Sequence, residues 1–269
     1  MKRFARLVSS ILLACSLGSP ALALEPNTTI FIGIEKNRRP YTYLDEEQNP
    51  KGILLDAFLP LCKTIGVQCN FVAGDVYSLL DGIKNYELHG FIAIDSFFIP
   101  DVDQIKLTPP ICKLKPVFIQ RASDPVRKKP EDFKKTTIGV LEGSLLHFYL
   151  LDEYSSFSRL RPYTLLENGV FDLVSGRIDA LFADDAFFKD QVLKTSLGQE
   201  GSKHQLVASD LSVPKLPTTS MRIAIRERDS ELLGKLGKAL LQQTKGPTPE
   251  CADLSRPPSA GGSRRTADK

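Results

Sequence analysis

The segment GRIDALFADD, residues 176–185, ends in two adjacent carboxylates, Asp184 and Asp185. A carboxylate held away from bulk water makes a strong charge-assisted hydrogen bond to a cation. The apolar run from Ala180 to Ala183 that precedes it reads as a buried strand of a parallel sheet. In open α/β sheets ligands sit at the C-terminal edges of the strands. Asp184 is therefore a candidate contact for a positively charged group, and the alternative is a solvated strand-end acid or a helix cap. Asp185 fits the cap or a solvent-facing position.

Other residues offer complementary chemistry. Gly143 and Ser144 fall at a strand-to-helix turn, where backbone N–H groups point at an anion; a plain helix cap uses the same residues. Tyr41, after Pro40, presents an apolar face and a polar tip. It can stack on a ligand or pack in the core, and Tyr77 follows the same logic. Asp95, Asp101 and Asp103 come after the apolar run GFIAI and, with Asp184, would make a cleft acidic; solvated loop charge is the alternative. Asp56, near the start of a helical segment, is explained by capping and by the helix dipole.

Several chemistries lack their residues. His89, His147 and His204 are scattered, with no His-x-x-x-His spacing. There is no Cys-x-x-Cys, so zinc and thioredoxin-like redox sites have no support. LEGSLL is not a nucleophile elbow, and neither a P-loop nor a dinucleotide fingerprint occurs. No cofactor and no metal is expected.

The elements that must carry these residues alternate in period. TTIFIGIEK (28–36), VQCNFVAG (67–74), GFIAI (90–94), TTIGVLEG (136–143), IDALFADD (178–185) and SMRIAIRE (220–227) read as strands. ILLDAFLPLCKTIG (53–66), VYSLLDGIKNY (76–86), SLLHFYLLDEY (144–154), NGVFDLVSGR (168–177) and DSELLGKLGKALLQQ (229–243) read as helices. Such alternation predicts parallel sheets and an α/β fold. RRPYTYLDEEQNPKG reads as a loop. PVFIQRASDPVRKKPEDF (116–133) interrupts the rhythm and reads as a crossover between two lobes, with 220–227 as the return. The expected division is residues 24–118 plus 212–245 for one lobe and 119–211 for the other, with a ligand cleft between them. The Pro-, Gly- and Ser-rich stretch 246–269 is expected to be a disordered tail.

Length and charge narrow the class further. A chain of 269 residues suits one large or two smaller domains. MKRFAR, an apolar run to Gly18 and the Ala21-Leu22-Ala23 site form a secretory signal, residues 1–23. LLAC (12–15) resembles a lipobox, so a lipoprotein anchored through Cys15 is the alternative to soluble export. Removing Lys2, Arg3 and Arg6 leaves 32 basic against 32 acidic residues. A neutral chain without a basic stripe is a poor nucleic-acid binder. Export places Cys62, Cys69, Cys112 and Cys251 where disulfides persist. Cys62 and Cys69 flank a helix-to-strand turn and permit a local disulfide; small buried thiols are the alternative.

The order of these motifs resembles the bacterial periplasmic solute-binding proteins of family 3, which serve polar amino-acid uptake. IFIGIEKNRRPYTYLDEEQNPKGILLDAF resembles the opening strand, Pro-aromatic loop and Gly-x-x-x-Asp helix start, here Pro40, Tyr41, Gly52 and Asp56. TTIGVLEGS, VFDLVSGRIDALFADD and RIAIRERDSELLGKLGKAL resemble later family segments. The resemblance spans roughly residues 28–243. It implies a type II binding-protein fold whose two lobes close by a hinge on a small polar solute for the membrane permease of an ABC importer. It implies a periplasmic monomer with Asp184 pairing a ligand ammonium and Tyr41 stacking on the ligand. The family's carboxylate-clamping arginine is replaced by Asp101 and its threonine by Phe98. Arg38, Arg39 and Arg121 are candidates for a displaced clamp. An acidic cleft would favour a basic amino acid or a polyamine. The rival classes are a cyclohexadienyl dehydratase-like enzyme, using Asp184 or His147 as acid or base, and a ligand sensor working through a partner.

Overall fold

Apolar β-branched residues at alternate positions of the first strand set the centre of the first lobe. Ile30, Ile32 and Ile34 are fully buried. The computed structural model describes residues 27–94, 105–209, 211, 216, 219–243 and 246–254. The expected signal segment, Cys15 and the acidic positions Asp95, Asp101 and Asp103 lie outside the described residues.

The chain begins with β1 (Thr29–Glu35), then the short strands β2 (Asn37–Arg38), β3 (Thr42–Leu44) and β4 (Pro50–Lys51), which form a small antiparallel sheet. Residues 38–52 read as a loop in sequence because strands of two or three residues leave no periodicity to detect. Helix α1 (Ile53–Ile65), β5 (Gln68–Gly74), α2 (Val76–Lys84), β6 (Gly90–Ile94), β7 (Ile105–Leu107) and β8 (Cys112–Lys113) follow. The second lobe holds β9 (Pro116–Arg121), β10 (Thr137–Leu141), α3 (Leu145–Glu153), β11 (Arg159–Tyr163), α4 (Leu166–Val174), β12 (Ala180–Asp184), α5 (Asp185–Phe188) and β13 (Leu206–Ala208). The chain then returns to the first lobe through β14 (Ser220–Arg226) and α6 (Ser230–Gln243).

The first sheet has the order β5-β1-β6-β14-β7, with β8 also paired to β14; β1 runs parallel to β5 and β6, and β14 is antiparallel to its neighbours. Leu54, Phe58 and Leu61 of α1 and Leu232, Leu236 and Leu240 of α6 pack in one cluster with β1, while Leu79, Leu80 and Ile83 of α2 join a second with Phe91 and Ala224. Two clusters with separate helices cover the two faces of the sheet, as parallel sheets require.

The second sheet has the order β11-β10-β12-β9-β13, parallel across β11, β10 and β12. Strand β9 lies antiparallel between β12 and β13, and Val117, Phe118, Ile119 and Gln120 are buried. Residues 116–121 are thus a central strand of the second lobe, not part of a crossover. The polar run from Arg121 onward masks the apolar triplet in the sequence. The second sheet accordingly starts at Pro116, ahead of the expected boundary at 118/119.

Both cysteine pairs are joined. Cys62–Cys69 forms the local disulfide, with Cα atoms 6.1 Å apart. Cys112–Cys251 forms a second, with Cα atoms 4.8 Å apart. The segment Gly246–Leu254 is ordered rather than part of a disordered tail. Lys113 N–H donates to Pro249 O at 2.8 Å, and Cys251 and Ala252 are buried. Its Pro and Gly content signals disorder only where nothing anchors it, and the disulfide does. Among the described residues no helix is long and apolar enough to cross a membrane.

Candidate functional site

Every residue of β12 is buried, so the strand carries Asp184 to its C-terminal edge with almost no exposure, 8%. There the backbone turns directly into α5, and Asp184 caps that helix by accepting from Phe187 N–H at 2.9 Å. The cap alternative is met, and the same side chain also lines the cavity between the lobes. Asp185 lies in the first helical turn. Its N–H donates to Lys115 O at 2.8 Å and its carboxylate pairs with Lys189 at 2.6 Å.

From the first lobe, Tyr41 reaches across. Its hydroxyl donates to Asp184 Oδ1, and both side chains are buried. Local geometry holds Tyr41 firmly. Its N–H donates to Arg38 O at 2.7 Å and its carbonyl accepts from Leu54 N–H at 3.2 Å, at the start of α1. Gly52, with φ at +132°, makes this approach feasible, since a Cβ there would lie 2.0 Å from Tyr41 O. Burial first, then the adjacent Asp184 charge, hold the Tyr41 phenol well above its usual pKa, so it serves as a proton donor. Burial also raises the Asp184 carboxyl, against the hydrogen bonds from Tyr41 and Phe187 and the charge of Arg38.

The cavity around this pair is about 50 Å³. Arg38 and Arg39 face it from the first lobe, Leu114 and Thr219 from the inter-lobe crossings, and Pro116, Ser144, Leu145, Glu167 and Phe182 from the second lobe. Arg38 lies 3.5 Å from Glu35, and the Arg39 guanidinium stacks 3.7 Å over the Tyr43 ring. Glu167 was not singled out from sequence. It follows the C-terminal edge of β11 just as Ser144 follows β10, and that shared topological position is the signal that could have found it.

Other expected contacts fall elsewhere. Tyr77 sits on α2, is 81% exposed and does not line the cleft, because its helical position points away from the sheet. Gly143, at φ +66°, donates its N–H to His147 Nδ1 at 3.2 Å, so that amide already has an acceptor. Ser144 does line the cleft, but its Oγ accepts from His147 N–H at 3.1 Å and donates to Leu141 O at 2.7 Å, so the hydroxyl works as the cap of α3. Asp56 lies in the first turn of α1, where Gly52 is the cap. Arg121 is no clamp: its Nη1 donates to the carbonyls of Leu173 at 2.6 Å and Ile178 at 2.8 Å, and Asp124 holds its other edge. Asp95 and Asp101 lie outside the described residues. Among the described residues no group of three or more His, Cys, Asp or Glu is placed to hold a metal ion.

The inter-lobe cavity sets a buried acid against basic and apolar walls, and several proteins are similar to this chain over most of its length. The L-arginine-binding protein of Pseudomonas aeruginosa is 26% identical over 241 residues, covering 89% of this chain and 90% of the relative. The histidine-binding periplasmic protein of Escherichia coli K12 is 24% identical, covering 87% and 88%. The fold matches a solved periplasmic binding protein of Salmonella typhimurium with high arginine specificity, at a TM-score of 0.64 and 21% identity, over 84% of this chain and 97% of that one. It also matches an ancestral arginine-binding protein bound to arginine, at a TM-score of 0.65 and 21% identity, over 86% and 97%. The model of the bacterial extracellular solute-binding proteins, family 3, matches residues 30–249, and the chain belongs to that family.

Proposed function

We propose that the chain works in the periplasm, captures a basic amino acid between its two lobes and delivers it to the membrane permease of an ABC importer. The observation that carries this is Asp184, a buried carboxylate at the C-terminal edge of β12 that faces the inter-lobe cavity. A carboxylate in a site that excludes water favours a cationic donor over a neutral one. Relatives that bind arginine or histidine, and one that binds lysine, arginine and ornithine, support the same ligand class.

In this reading Asp184 anchors the solute's ammonium group. Arg38 and Arg39, the two guanidiniums on the opposite wall, take the carboxylate. Leu145, Phe182 and the neighbouring apolar wall enclose the aliphatic part of the solute. Binding acts through differential affinity for the closed arrangement of the lobes. The chain acts as a monomer and needs no catalytic step.

Thermal unfolding of the mature chain against L-arginine, L-lysine, L-histidine, a polyamine and neutral amino acids tests this. A solute at a hundredfold its Kd stabilises by about 2.7 kcal/mol, or several degrees at roughly 2–4 °C per kcal/mol for a chain of this size. The expected result is a shift with basic amino acids only. A shift confined to neutral or acidic amino acids overturns the cationic ligand, and a folded sample that responds to none overturns the amino-acid reading.

A further inference from the structure

An α-ammonium is common to basic, neutral and acidic amino acids. A carboxylate that anchors it, as Asp184 would, holds the backbone of the solute and does not select its side chain. Selection needs a second group, and the charges of the cleft identify it. The charged side chains that line the cavity, among the described residues, are Arg38, Arg39, Glu167 and Asp184. Asp184 accepts from Tyr41 and Phe187, Arg38 lies 3.5 Å from Glu35, and Arg39 stacks on the Tyr43 ring. Glu167 is half-buried, and its carboxylate has no hydrogen bond or ion pair among the described residues.

Sheet order sets the spacing of the two acids. Strands β11, β10 and β12 are parallel neighbours, with Tyr163 opposite Leu141 and Phe182 opposite Val140. Their C-terminal ends therefore lie level at the cleft. Asp184 ends β12, and Glu167 lies in the first turn of α4, which follows β11. Two strand spacings separate β11 from β12, about 10 Å across the sheet. Charge-assisted hydrogen bonds of about 2.8 Å at either end leave room between the acids for an aliphatic stem. Leu145, Leu146, Leu165 and Leu166 line the same cavity and give that stem an apolar wall. Two acids separated by an apolar wall complement a solute with two cations joined by a methylene chain. A carboxylate in the first turn of a helix also complements the helix dipole, but the dipole does not require a place on the cavity wall.

We propose that Glu167 selects the solute's side chain: its carboxylate takes the guanidinium or ammonium of a basic amino acid whose α-ammonium is held by Asp184. Glu167 has this role only if the cleft holds an amino acid anchored by Asp184. A neutral side chain of the same length leaves Glu167 partly desolvated without a cationic donor, and that loss sets the preference.

Titration calorimetry on the mature wild-type chain, Glu167→Gln, Glu167→Asp and Asp184→Asn tests this, with L-arginine and L-citrulline as probes. The probes share backbone and stem, and citrulline carries a neutral urea in place of the guanidinium. Wild type is expected to prefer arginine by about tenfold or more. Glu167→Gln is expected to abolish most of that preference by weakening arginine, with the unliganded thermal midpoint near that of wild type. Glu167→Asp, which keeps the charge on a shorter stem, is expected to retain part of it. Asp184→Asn is expected to weaken both probes by a similar factor and to keep their ratio. A helix-dipole role alone would leave the ratio unmoved in every variant. Equal affinities in wild type, or a Glu167→Gln protein that keeps the arginine preference, overturn the assignment of Glu167 and leave the amino-acid reading standing. A preference lost in Asp184→Asn instead places the side-chain cation at Asp184 and also overturns it. A folded wild-type chain that binds neither probe overturns both the assignment and the amino-acid reading.

Discussion

Cys112 and Cys251, 139 residues apart in sequence, are joined by a disulfide that pins the segment around Cys251 to the edge strand β8. The same apolar cluster contains Ala186, two residues beyond Asp184 in the second lobe. The end of the described chain is thereby tied to the first lobe and packed against the helix that follows the candidate anchor. Cys62–Cys69 closes a loop with a sequence separation of only 7.

The two disulfides differ in the chain entropy they remove from the unfolded state. Loop closure predicts that Cys112→Ser with Cys251→Ser costs roughly 2.7 kcal/mol more than Cys62→Ser with Cys69→Ser. Denaturant midpoints of the two double variants check this. Equal losses would show that local packing, not loop length, sets the contribution of each bridge.

Gly52→Ala places a Cβ 2.0 Å from the Tyr41 carbonyl in a backbone region that L-residues rarely adopt. The variant is expected to lose on the order of 3 kcal/mol and to displace Tyr41 from Asp184. Urea unfolding measures the first effect, and tyrosine absorbance of the folded variant reports the second. A variant as stable as wild type would contradict the close approach.

Arg38→Gln removes one of the two guanidiniums proposed to take the solute's carboxylate. Its pair with Glu35, at 3.5 Å, is partly solvated, so stability should change by less than about 1 kcal/mol. Arginine affinity should fall by about tenfold or more. Calorimetry showing unchanged affinity would move the carboxylate site elsewhere.

Asp172 supplies a pH test of folding away from the cleft. Its carboxylate accepts from the Tyr163 hydroxyl at 2.8 Å and from Arg177 Nε at 2.5 Å, with Arg161 at 3.1 Å. These partners, the Tyr163 hydrogen bond first, hold its pKa below the ordinary value. Burial, then the Asp172 hydrogen bond, pushes Tyr163 up to about 12. A carboxylate with a depressed folded pKa adds stability that is present above its unfolded pKa, about 3.9, and lost as pH falls through the folded value. The stability gap between wild type and Asp172→Asn should therefore be full at pH 6 and shrink below about pH 4. Urea midpoints across that range measure it, and a gap independent of pH would mean that Asp172 acts through packing alone.

The alternation of apolar strands and amphipathic helices was legible because each element repeats its own period along the chain. The run Ala180–Ala183 announced a buried strand, Asp184 its polar end, and Ser144 the cap of α3, all from neighbours within a few residues. The site was only partly legible. Tyr77 and Tyr41 look alike in sequence, but one faces solvent and the other crosses the cleft. Arg121 reads as a free clamp, yet the carbonyls that hold it lie 52 and 57 residues away. Strand β9 was hidden by polar flanks, and the ordered segment near Cys251 by its composition.

The sequence by itself determined the α/β class, most of the elements and the acid at the end of β12, because these follow from local steric preference and side-chain period. Only the tertiary structure decided which cysteines pair, which tyrosine meets Asp184 and which arginines face the cavity. Those partners are brought together by sheet order and lobe packing, and a contact such as Tyr41–Asp184, 143 residues apart, leaves no trace in the local pattern around either residue.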